Sequence, residues 1–161
     1  MKRENVLSWE DSFMSLAKVI ALRSKDPNTQ VGACIVDKSK HVVGLGYNGL
    51  PNGYSDDEAP WERNGEFVEV KYSYMVHAEL NAILNSTKKL KDCTIYVTLF
   101  PCNECAKAII QSGIKTVVYE SDKYSDSPSV IVSKKLFEAA GIELIQSNQI
   151  QVKVKVADEV E

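Results

Sequence analysis

The sequence is poor in histidine (2), cysteine (4) and proline (5) for its 161 residues. It has no apolar run approaching about 18 residues, so no membrane-spanning helix is expected. Its opening stretch, MKRENVLSWEDSF, lacks the apolar segment of a secretory signal, which points to a cytoplasmic location. In that reducing compartment the cysteines read as metal ligands, catalytic groups or buried residues rather than disulfides. Clustered positive charge is also missing. The net charge is −3, and the densest basic stretch is Lys88, Lys89 and Lys91. A long nucleic-acid partner is therefore disfavoured, and a small-molecule substrate is favoured.

What the chain does contain is the composition of a globular protein, with 44% apolar and 25% charged residues. The length suits one domain, with a core over about residues 8–145 and a tail over 146–161. Ser8 is a candidate N-cap, with Glu10 and Asp11 in the first turn after it. Phe13, Met14, Leu16, Ala17, Ile20 and Leu22 mark the apolar face of a first helix. Val31–Asp37 and Val42–Tyr47 read as an antiparallel hairpin. From Tyr54 to about Lys71 the periodicity disappears. Loops of this length inside compact domains are usually functional or disordered, and Trp61 and Phe67 argue for packing and hence function.

Helical and strand patterns then alternate. Helices are expected over about His77–Ser86, Cys102–Ser112 and Ser129–Ala140, and strands over Thr94–Leu99, Thr116–Tyr119 and Ile142–Ile145. Such alternation implies parallel strands with crossover helices. The expected fold is α/β: a mixed sheet with an antiparallel N-terminal hairpin and parallel C-terminal strands. The segment Gln149–Val156 alternates and reads equally as an edge strand or a frayed terminus, running on to Asp158, Glu159 and Glu161.

Two short motifs stand at the starts of successive helices, His77-Ala78-Glu79 and Pro101-Cys102-Asn103-Glu104-Cys105. Cys102 and Cys105 share a face on one helical turn, and in parallel α/β architecture both helix starts lie at the carboxyl edge of the sheet. One imidazole and two thiolates suit a catalytic zinc, which keeps an open fourth position. The helix ends carry partial positive charge that lowers thiol pKa values. Zinc brings a water in the open position from pKa 15.7 to about 7. Glu79 is then free to move protons. A redox pair at Cys102 and Cys105, or a structural zinc closed by Cys34, Cys93 or His41, are the other readings. The combination H-x-E…P-C-x-x-C matches the signature of zinc-dependent nucleobase deaminases, in which the glutamate is the general acid/base.

The flanks resemble the deoxycytidylate (dCMP) deaminase family. The resemblance lies in RSKDP at Arg23–Pro27, QVGA at Gln30–Ala33, GYNGLPNG at Gly46–Gly53 with YSDD after it, HAELNAILN at His77–Asn85 and LFPCNECAKAIIQSGIK at Leu99–Lys115. It covers roughly residues 8–145. It implies the three-layer αβα cytidine-deaminase-like fold and conversion of dCMP to dUMP and ammonia, which feeds thymidylate synthesis. It also implies a homo-oligomer, often a hexamer, activated by dCTP and inhibited by dTTP, with Mg²⁺ accompanying the triphosphate. Gly46, Tyr47 and Gly49, with Asp56 and Asp57, resemble the family's effector region. Glycines let backbone N–H groups approach phosphates, and carboxylates suit Mg²⁺. Asn48 becomes a candidate for the deoxyribose, Arg23 and Lys25 for the 5′-phosphate, and Tyr124 for contact with the nucleotide. Some members use extra histidines and cysteines for a second zinc. With only His41 and His77 here, none is expected. The alternatives are another nucleoside or nucleobase deaminase with the same zinc core, or a non-catalytic zinc protein of this fold.

Overall fold

The computed structural model describes residues 1–157. Four helices, α1 (Trp9–Ala21), α2 (Ala78–Leu84), α3 (Asn103–Ser112) and α4 (Pro128–Ala139), flank one sheet. Its strands are β1 (Gly32–Val36), β2 (Val42–Tyr47), β3 (Thr94–Leu99), β4 (Thr116–Ser121) and β5 (Glu143–Gln146), in the spatial order β2-β1-β3-β4-β5. β1 runs antiparallel to both β2 and β3, and β3, β4 and β5 are parallel. The expected α/β architecture with a mixed sheet is the one observed.

Strand alternation sorts the core into two faces. Cys34 and Val36 pack with Phe13, Met14 and Ala17 of α1. Their neighbours Ala33 and Ile35 pack on the opposite face with Ala78 and Ala82 of α2, Ala106 and Ile109 of α3, and Phe137 of α4. Cys34 and Cys93 are buried in these clusters. Gly46 lets α2 lie directly on β2: a Cβ there would stand 2.3 Å from both Ala78 O and Ala82 N.

Local signals explain most boundaries. Ser8 caps α1, its Oγ accepting from Asp11 N at 3.0 Å. Gly113 ends α3 in the left-handed region at φ 88°. Three expectations change. Leu16 on α1 and Leu22 just after it are exposed, because Ala17 and Ala21 are the residues that meet the sheet. In the long loop Trp61 packs, with Nε1 donating to Asp56 O at 2.9 Å, whereas Phe67 is 79% exposed. The tail forms no strand among the described residues; Ile150 instead packs beside the α1 cluster, its N–H bonded to Glu120 Oε2 at 3.0 Å. Asp158, Glu159 and Glu161 lie outside the described residues. No helix among the described residues is long and apolar enough to cross a membrane.

Candidate active site and metal centre

Because β1 is antiparallel to both β2 and β3, those two strands point the same way, and their carboxyl ends share one edge. The chain leaves β2 there, makes the long loop and enters α2; it leaves β3 there and enters α3. His77 is the N-cap residue of α2 and Cys102 that of α3. His77 makes no side-chain cap bond. Its Nδ1 stands 3.4 Å from both Cys102 Sγ and Cys105 Sγ. Cys102 Sγ also accepts the Cys105 N–H at 3.5 Å, which fixes the first turn of α3.

The ligand atoms of His77, Cys102 and Cys105 lie within 4.8 Å of one another. Tetrahedral zinc, with Zn–S of about 2.3 Å and Zn–N of about 2.0–2.1 Å, sets sulfur–nitrogen edges of roughly 3.5 Å. The donor set therefore fits such an ion in both spacing and chemistry. No fourth protein ligand joins the cluster among the described residues. That answers the closed structural site, since Cys34 and Cys93 are in the core and His41 pairs with Asp37.

Hydrogen bonding with Cys105 and then His77 brings the Cys102 thiol down to about 4. The bond to Cys102 raises the His77 imidazole to about 9. Cys105, sharing its proton with Cys102 and buried, is pushed up. Glu79, on the first turn of α2, is only 4% exposed, and burial pushes its carboxyl up to about 7.

His77, Glu79 and Cys102 open into a cavity of about 360 Å³ that Asn48 and Tyr124, among others, also line. Asn48 is 8% exposed. Its Oδ1 accepts from Val31 N at 2.8 Å and its Nδ2 donates to Thr29 O at 2.9 Å. Arg23 and Lys25 are not in this cavity. They line a second one, of about 330 Å³, with Gly46, Tyr47, Gly49 and Asp56, and Lys25 is ion-paired with Asp56. Arg23 and Lys25 thus stand apart from Asn48 and Tyr124: the turn after α1 carries them to the far side of the β2 end. Asp57 is exposed and does not line that cavity.

The catalytic-type cavity also holds residues that sequence reasoning missed. Lys71, 2% exposed, donates to Asp26 Oδ1 and Oδ2 at 2.6 and 2.7 Å and to Asn28 Oδ1 at 2.9 Å. Burial alone would raise Asp26; the Lys71 bond and the N–H groups of Asn28 and Thr29 outweigh it and hold the carboxyl below its usual range. Arg63 and Tyr72 are bonded through Nε and Oη at 3.1 Å. The one available signal was the length of the loop that carries them.

The family model for the cytidine and deoxycytidylate deaminase zinc-binding region matches residues 7–121. The chain belongs to the cytidine and deoxycytidylate deaminase family. As a member of it, the protein is an enzyme. Deoxycytidylate deaminase of Homo sapiens is 54% identical over 143 residues, covering 88% of this deaminase and 80% of the human protein. A probable deoxycytidylate deaminase of Drosophila melanogaster is 52% identical over 149 residues, covering 88% and 73%. In fold, the deaminase is similar to the crystal structure of dCMP deaminase from cyanophage S-TIM5 in complex with dCMP and dUMP, with a TM-score of 0.70 at 22% identity over 86% of this chain and 96% of that one.

Proposed function

We propose that this deaminase, a single domain with a short tail, hydrolyses dCMP to dUMP and ammonia with a zinc ion held by His77, Cys102 and Cys105. The observation that carries the reading is the convergence of His77 Nδ1 on two sulfurs at 3.4 Å, with buried Glu79 in the same cavity. When bound, zinc supplies Lewis acidity that makes a water in its open position acidic near neutral pH. The Glu79 carboxylate takes the proton of the attacking water and delivers it to the exocyclic amine leaving C4 of the cytosine. A buried carboxylate lining the same cavity suits both transfers. The reaction consumes water, releases ammonia and needs no redox partner. Asn48, anchored through one N–H and one lone pair, keeps its other N–H for the deoxyribose. Tyr124 lines the same cavity and contacts the nucleotide. The dUMP made this way supplies thymidylate synthesis.

The second cavity is read as the effector site, taking dCTP as activator and dTTP as inhibitor. Arg23 and Lys25 meet the triphosphate, and Asp56 helps hold its Mg²⁺. The enzyme is read as a homo-oligomer, with a hexamer expected; exposed Leu84, Val42 and Leu45 are apolar surface for subunits to cover.

A substrate panel of dCMP, CMP, deoxycytidine and guanine, with and without dCTP, tests the reading. We expect dCMP to be turned over fastest, with a sigmoidal rate curve that dCTP makes hyperbolic. Preference for another substrate assigns a different deaminase activity. Zinc binding without turnover of dCMP overturns the dCMP reading, and indifference to dCTP and dTTP removes the effector site.

A further inference from the structure

We propose that Arg63 reads the 5′-phosphate of the substrate, and so decides between a nucleotide and a nucleoside. This rests on the dCMP reading above. The cavity that holds Glu79 is lined by two basic side chains, Lys71 and Arg63. Lys71 is spent: its ammonium donors go to both oxygens of Asp26 and to Asn28, and its positive charge is neutralised by a buried carboxylate. Arg63 pairs with no carboxylate among the described residues. Its Nε is engaged by Tyr72 Oη at 3.1 Å, which turns the guanidinium while leaving its terminal nitrogens available. A guanidinium presented this way matches a phosphate through paired, charge-assisted hydrogen bonds.

The loop is built to hold Arg63 at the cavity. Lys71 N donates to Glu62 O at 3.0 Å, closing the loop next to Arg63, while the Lys71 side chain fastens that closure to Asp26. Tyr72, the next residue, then meets Arg63. Lys71 and Tyr72 are positioning residues in this account, and Arg63 is the group that touches the phosphate. Tyr124 and Ser127, both hydroxyl-bearing, line the same cavity.

The test uses the zinc-loaded full chain. Kinetics on dCMP and deoxycytidine are measured for wild type, Arg63→Ala and Arg63→Lys, and calorimetry compares binding of dUMP and deoxyuridine. Loss of a charge-assisted contact is worth roughly 10- to 100-fold. Arg63→Ala should lower kcat/KM for dCMP by that factor, mainly through KM, and weaken dUMP binding alike. Deoxycytidine kinetics and deoxyuridine binding should change less than about twofold, with Arg63→Lys in between. Equal losses on both substrates, or no loss on dCMP, overturn the role of Arg63 while leaving dCMP as substrate. A wild type that prefers deoxycytidine overturns both readings.

Discussion

The cavity around Glu79 and the cavity around Arg23 share their walls but hold their polar groups differently. At the end of β2, Tyr47 and Gly49 line the second cavity while Asn48 between them lines the first; Lys25 and Asp26 divide in the same way. In the first cavity Glu79, Lys71, Asp26 and Asn48 are buried, and Lys71, Asp26 and Asn48 are locked by hydrogen bonds. In the second, Lys25 and Asp56 form an ion pair at partial exposure, among turn residues. Buried, fixed groups suit proton transfer, where geometry and a shifted pKa decide the rate. Solvated, adjustable groups suit reversible binding of a charged ligand.

That difference can be broken from either side. Lys71→Met leaves Asp26 as an uncompensated buried carboxylate and should cost about 3–5 kcal/mol of stability, checked by denaturant melts. Its dCMP kinetics should suffer more than its dCTP response. The same pair sets an acid limit. Asp26 has a lowered folded pKa, so its stabilisation is full above the unfolded carboxyl value of about 3.9 and is lost as pH falls through the lower folded value. Melts between pH 5 and about 2 should show this loss in wild type and not in an Asp26→Asn/Lys71→Met double variant.

Gly46→Ala strikes both cavities together. The added methyl meets the backbone of Ala78 and Ala82 and must push α2 away from β2, at about 1–3 kcal/mol by melting. Activity and dCTP response should decline together. Arg23→Ala is the mildest and most selective change. It should raise the dCTP concentration for half-activation by about tenfold, much more than it raises KM for dCMP. The reverse pattern in activation assays would return Arg23 to the substrate phosphate.

The clustering of His77, Cys102 and Cys105 was legible in the sequence because helix entrances impose short, rigid spacings. His77, Glu79, Cys102 and Cys105 each fall within one turn of a helix start. The sheet was legible from alternation, and Ser8 and Gly113 marked their helix ends. The partition of Arg23 and Lys25 was not legible, because it depends on which side of the β2 end a turn passes. Nor was the pairing of Lys71 with Asp26, whose partners lie 45 residues apart and meet only once Val76 bonds back to Gly49 and folds the loop over. Leu16 and Phe67 look like core residues by type and are exposed, because small alanines meet the sheet in α1 and Trp61 takes the packing role in the loop.

The most direct measurement is zinc content and dUMP formation for Glu79→Gln beside wild type. The account predicts about one zinc per chain in both proteins, as the ligand set lacks Glu79, and a fall in kcat of roughly 10²–10⁴-fold in the variant. Wild-type turnover by a zinc-loaded Glu79→Gln enzyme would contradict it.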